Sequence, residues 1–151
     1  MPEVIVSETL DCPIAKAWEL VTDIESYPEK MNSVRSVVVR EKNSDNWISD
    51  WVVELKESEM RWTEKETYYP SEHLIEFNQI DGDLESFTGS WKLTDQGLEK
   101  TLVTLTVNFS IGIPALEDML NLVASDAIRE NSEMMLKTLK LHDGPRKGAG
   151  C

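Results

Sequence analysis

Little in this chain of 151 residues points to a disulfide, a metal or a membrane. Cysteine occurs only at Cys12, beside a proline, and at Cys151, so a structural disulfide between them is not expected and a reducing compartment suits the chain. Histidine occurs only at His73 and His142, neither with a second His or Cys at ligand spacing, so no metal and no cofactor is expected. No apolar run reaches the roughly 18 residues of a membrane span. The N-terminal MPEVIVSETLDC lacks the basic-then-apolar pattern of a secretory signal, and the expected location is the cytoplasm. Positive charge is also scarce: 28 acidic against 15 basic residues give a formal charge of −13, which opposes nucleic acid and anionic membrane surfaces.

What the sequence does contain is alternation. EVIVSETL (3–10) has the length and period of a strand. Asp11 stands where a helix N-cap would be, with Pro13 in the first turn, and Ile14, Ala17, Trp18 and Val21 predict a helix over 13–22. A second short helical turn is expected in SYPEKMN (26–32). Six strands follow, over 33–42, 47–55, 60–69, 74–80, 84–93 and 98–111, separated by short turns rich in Gly, Asp, Asn, Ser and Pro, which predicts consecutive antiparallel hairpins. After Pro114 the pattern becomes helical, with Leu116, Met119, Leu120, Val123, Ala127, Met134, Thr138 and Leu141 as its apolar stripe. Residues 1–141 are expected to form one domain and 142–151 a frayed tail. An α+β fold follows: a seven-stranded antiparallel sheet, curling as it twists, with two short helices after its first strand and a long closing helix in its hollow.

One strand raises a chemical question. In MRWTEKETYYP (60–70), Met60, Trp62, Glu64, Glu66 and Tyr68 share a face, so an inward Trp62 brings two carboxyls inward with it. In a partly apolar cleft such a carboxyl has a raised pKa and can serve as a general acid or base. The alternative is a strand at a cavity mouth whose glutamates are solvated or paired with cations.

The string AWELVTDIESYPEKMNSVRSVVV, the strand MRWTEKETYYP and the hairpin IDGDLESFTGSWKLTDQG together resemble the START-like (SRPBCC) helix-grip superfamily, in its polyketide cyclase/dehydrase branch. The likeness runs from Val4 to about Leu141 and rests on the order and spacing of these pieces. It implies a curved sheet gripping the C-terminal helix around an elongated apolar cavity. Relatives include aromatase/cyclases, quinone-binding proteins and plant ligand carriers. In the aromatase/cyclases an arginine on this strand is thought to orient the ketone chain; aligned on Trp62, this chain has WTEKE, with Glu66 in that place and Arg61 and Lys65 on the opposite face.

Glu66 and Glu64 are catalytic candidates as inward carboxyls of this strand, and the resemblance adds Tyr27, from the aromatic that relatives carry at the cavity entrance. Trp51, Trp62, Phe77, Phe87 and Trp91 are expected to line the hollow, with Met119, Leu120, Val123, Ala127, Met134 and Met135 as its helical wall and Ser90 and Asn131 as weaker polar candidates. Each also has a structural reading, as core packing. The expected activity is cyclisation or dehydration of a hydrophobic poly-ketone or aromatic substrate, free or bound to a carrier protein. The alternatives are a non-catalytic carrier of a quinone, isoprenoid or lipid, and a surface for another protein. A monomer or homodimer is expected, without nucleic acid or integral membrane contact.

Overall fold

A computed structural model describes residues 2–55, 58–112 and 117–141, excluding the side chains of 117–120 and 141. Strand β1 (Glu3–Leu10) leads to helix α1 (Ile14–Thr22), a 3-10 turn (Ile24–Ser26) and helix α2 (Tyr27–Lys30). Strands β2 (Val34–Lys42), β3 (Asn46–Leu55), β4 (Ser58–Tyr69), β5 (Leu74–Gly82), β6 (Ser86–Asp95) and β7 (Thr101–Ser110) follow, and helix α3 (Glu117–Leu141) ends the described chain. The strands form one antiparallel sheet in the order β1-β7-β6-β5-β4-β3-β2, so every step from β2 to β7 is a hairpin and β1 closes against the last strand. This is the seven-stranded helix-grip arrangement that the alternation and the resemblance imply. No helix among the described residues is long and apolar enough to cross a membrane.

Alternation decides which side chains meet α3. On β4, Met60, Trp62, Glu64, Glu66 and Tyr68 are all buried while Arg61 and Lys65 are exposed. On β7, Thr101, Val103, Leu105, Val107 and Phe109 point inward in the same way. Gly89 on β6 lies opposite Phe77, and a side chain there would stand 1.9 Å from the Thr106 carbonyl oxygen and 2.6 Å from the Phe77 ring, so only glycine lets these three strands close.

Three local expectations need correction. Asp11 does not cap α1: its carboxylate lies 2.8 Å from Lys100 Nζ and 3.5 Å from Lys140 Nζ, and the residue before the helix is Pro13, which has no capping side chain. Two ammonium groups outcompete a backbone amide for that carboxylate, and the Lys100 hydrogen bond holds Asp11 below its usual pKa. The last strand begins at Thr101 rather than 98, because Gly97, Leu98 and Glu99 all have positive φ (75°, 47° and 58°) and turn the chain before the ladder starts. The buried stripe of α3 runs through Ala127, as expected, and through Ile128, Ser132, Met135, Leu136 and Leu139, which are not in the expected stripe, whereas Val123 is exposed. Apolar residues at 134, 135, 136 and 139 are compatible with two adjacent helix faces, and contact with β1 selects one of them: Lys140 Nζ donates to the Thr9 carbonyl (2.7 Å) and Arg129 Nη1 to that of Ile5 (3.3 Å). The tail 142–151 lies outside the described residues.

Candidate functional site

Because α3 packs chiefly along β1, the inner faces of β3, β4, β5 and β6 are left with space above them. The space is a cavity that stays partly open to solvent. Trp51, Trp62, Phe77, Phe87 and Trp91 form its aromatic wall. Val53, Leu55 and Met60 continue that wall, Leu105 and Val107 close the β7 side, and Ile128, Asn131, Ser132 and Met135 come from α3. Trp51 and Trp62 are cross-strand partners whose rings stack at 5.6 Å and 8°, and Phe87 leans on Trp62 at 4.9 Å.

Glu64 is the titratable side chain in this wall. Only 4% of it is exposed, and of Glu66, two residues on, only 2%. The pair is held by partners that alternation brings to the same face. Trp62 Nε1 donates to Glu64 Oε1 (2.7 Å), Tyr68 OH to Glu66 Oε1 (2.9 Å), and Ser49 Oγ to Glu66 Oε2 (3.0 Å). Ser49 in turn accepts from Trp51 Nε1 (2.8 Å), which commits its own proton to Glu66. Tyr68 is fixed between Trp47 (4.5 Å) and Trp18 (6.4 Å).

Burial pushes the Glu64 carboxyl well above its usual range, and a hydrogen bond to Glu66 and that neighbour's charge push it further; the Trp62 N–H opposes them. The hydroxyls of Ser49 and Tyr68 donate to Glu66, and burial beside that group favours the protonated form of Glu64. The same burial, with Glu66 nearby, raises the Tyr68 phenol well above its ordinary pKa and keeps it a donor. The result is a carboxyl at the cavity wall whose neutral form is favoured, with the hydrogen-bonded Glu66 behind it. Among the described residues no cluster of His, Cys, Asp and Glu could hold a metal ion.

The family described as polyketide cyclase / dehydrase and lipid transport matches residues 10–136. The chain belongs to this family. A protein of Thermus thermophilus is similar, at 26% identity over 93% of this chain and 95% of its own, with a TM-score of 0.86. The Zhui aromatase/cyclase of a Streptomyces species shares the fold at 18% identity over 99% of both chains, with a TM-score of 0.90. The major latex-like protein 151 of Panax ginseng shares it at 12% identity over 95% of this chain and 98% of its own, with a TM-score of 0.76. No curated protein matches the chain.

Within this polyketide cyclase/dehydrase fold the expected site residues separate into groups. Trp51, Trp62, Phe77, Phe87, Trp91, Asn131 and Met135 come together around the cavity with Glu64. Glu66 sits behind Glu64, away from the cavity wall. Tyr27 is fully buried; its hydroxyl donates to the Val21 carbonyl and its ring packs edge-on against Trp51 at 5.9 Å. Ala127 and Met134 line a shallower recess with Ser33, Glu54 and Glu130, which shares Leu55 and Asn131 with the cavity. Val123 is 60% exposed, and Ser90 lies outside the cavity wall. Met119 and Leu120 lie outside the described side chains. Sequence reasoning missed Ser49 and Ser132. Ser49 was legible, because it precedes Trp51 by two and shares its face; Ser132 was hidden by the phase of α3.

Proposed function

We propose that this protein binds a poly-ketone or related aromatic substrate in the cavity, free or tethered to a carrier protein, and promotes its cyclisation or dehydration, with Glu64 as the catalytic residue. The observation that carries the reading is a buried carboxyl, its pKa pushed well above the usual range by burial, in an otherwise largely apolar, aromatic wall. Burial costs an acid its hydration, which is worthwhile only where the neutral form is used. In a β-hydroxy ketone, Glu64 gives its proton to the departing hydroxyl as the C–O bond breaks. The carboxylate so formed takes the hydrogen from the carbon next to the ketone, whose electron pair becomes the new C=C bond. Water leaves and Glu64 ends protonated, so the pair never carries a second lasting charge. Ring closure uses the same group: Glu64 gives its proton to the ketone oxygen as the enol carbon of the chain attacks that carbonyl, the carboxylate so formed takes the proton of the enol hydroxyl, and the aromatic walls hold the bent chain in place. Glu66 is a positioning residue that acts through Glu64, and Ser49 and Tyr68 fix Glu66 in turn. Tyr27, with its hydroxyl committed to Val21, belongs to the scaffold.

The test is dehydration of a β-hydroxy ketone on a naphthalene-sized ring by the purified protein and by Glu64→Gln. The account expects turnover to fall by about 100-fold or more in the variant, the usual scale for a general acid–base group, with its melting point preserved. A second reading, a carrier of an apolar ligand, is favoured by Glu66 standing where the aromatase/cyclases resembled here have an arginine. A wild-type protein that turns over no poly-ketone yet retains a bound lipid or quinone in native mass spectrometry establishes that reading instead.

A further inference from the structure

Among the described hydroxyl, amide and carboxyl side chains of the cavity, Ser132 makes no hydrogen bond to a described residue. Asn131 is engaged: its Oδ1 accepts from Ser33 Oγ and its Nδ2 approaches Met135 Sδ at 3.4 Å. Glu64 is engaged with Trp62 and Glu66. Ser132 is 2% exposed and lines the cavity from α3, yet its hydroxyl makes no hydrogen bond to any described residue. A serine inside a helix ordinarily bonds the carbonyl four residues back or turns to solvent, and this one does neither. Alanine here would be the better helix former and would bury no polar atom. A buried hydroxyl left open towards a cavity is explained when the cavity's occupant supplies the missing partner.

We propose that Ser132 is a ligand-binding residue, a second polar anchor on the helix wall of the cavity that takes an oxygen of a guest whose other oxygen meets Glu64 on the sheet wall. This rests on the reading of the cavity as a substrate site and narrows the substrate class. The guest is a flat aromatic or ketone-bearing molecule oxygenated at two separate points, so that the tryptophan and phenylalanine rings cover its faces and one polar group waits at each end. A hydrocarbon, or an acyl chain with one polar end, leaves Ser132 unsatisfied. Discrimination of this kind comes from the stranded group, because a site built to bond an oxygen rejects an analogue that lacks it.

The proposal is tested with naphthalene, naphthol and the isomeric naphthalenediols, titrated against the wild-type protein, Ser132→Ala and Ser132→Thr. Quenching of the cavity tryptophans gives the dissociation constants. The expected result is that at least one diol binds the wild type tighter than naphthalene, and that Ser132→Ala weakens this diol about tenfold, the value of one hydrogen bond. Naphthalene binding should be unchanged in Ser132→Ala, and Ser132→Thr should recover part of the diol affinity. Equal shifts for diol and naphthalene, or none, overturn the role of Ser132 and leave the cavity reading standing. If the wild type binds none of these probes, the aromatic substrate site itself is refuted, and Ser132 with it. Far-ultraviolet circular dichroism of Ser132→Ala should match the wild type, since alanine suits the helix.

Discussion

The two halves of the sheet use the same alternation for opposite ends. On the β1–β7 side, Val4, Val103 and Phe109 are fully buried in one core with Leu136 and Leu139 of α3, and the helix is tied to β1 through Lys140 and Arg129. On the β3–β4 side the inward positions carry Trp51, Trp62, Glu64, Glu66 and Ser49, and the helix does not fill the space over them. The first half is a core and the second a furnished hollow. The buried Glu64, Glu66 and Ser49 are met by a hydrogen-bond network that lies within one face of two adjacent strands.

This contrast can be broken first from the sealed side. Phe109→Ala should destabilise by about 3–5 kcal/mol, the usual cost of deleting a phenylalanine from a closed core, and chemical denaturation at neutral pH measures it. A comparable truncation over the hollow, Phe77→Ala, should cost less because its cavity adjoins space already present. If the two losses are equal, the halves do not differ as described.

The next effect sharpens the other half. Ser49→Ala removes one donor from Glu66 and strands the Trp51 N–H, which should cost about 1–3 kcal/mol. Activity under the proposed mechanism should fall with it, because Glu64 loses the support of an oriented partner. A denaturation midpoint within error of wild type would show that the network contributes nothing.

A third effect is the pH dependence of stability. Glu64 has a folded-state pKa raised above its ordinary 4.5, so its contribution is fully present below about that pH and is lost as pH rises through the raised value. The wild type should therefore lose stability on going from acid to alkaline conditions in a way that Glu64→Gln does not. Parallel pH profiles for the two proteins contradict the assignment. The smallest effect is Trp62→Phe, which keeps the ring stack but removes the N–H that favours the charged form of Glu64, and so should move the Glu64 titration further upward.

The strands were legible because β propensity and period two agree over 33–111, and the inward face of β4 followed from parity alone once Trp62 was taken as buried. Whether Glu64 and Glu66 were solvated at a mouth or enclosed was not legible, since that depends on where α3 lies across the sheet. The phase of α3 was the weakest reading: with apolar residues on neighbouring positions from Met134 to Leu136, only the tie to β1 selects the face that brings Ser132 inward and turns Val123 out. Asp11 was legible as a local cap but is claimed by Lys100 and Lys140, the first 89 and the second 129 residues away in sequence. Local signals were right where no distant charge or helix competed for the same group.

The most direct measurement is the infrared carboxyl band of the protein at neutral pH, compared with that of Glu64→Gln. A protonated carboxyl stretch that persists in the wild type and vanishes in the variant is the predicted result. Its absence from the wild type, with every carboxyl ionised at neutral pH, would contradict a buried neutral acid in the cavity wall.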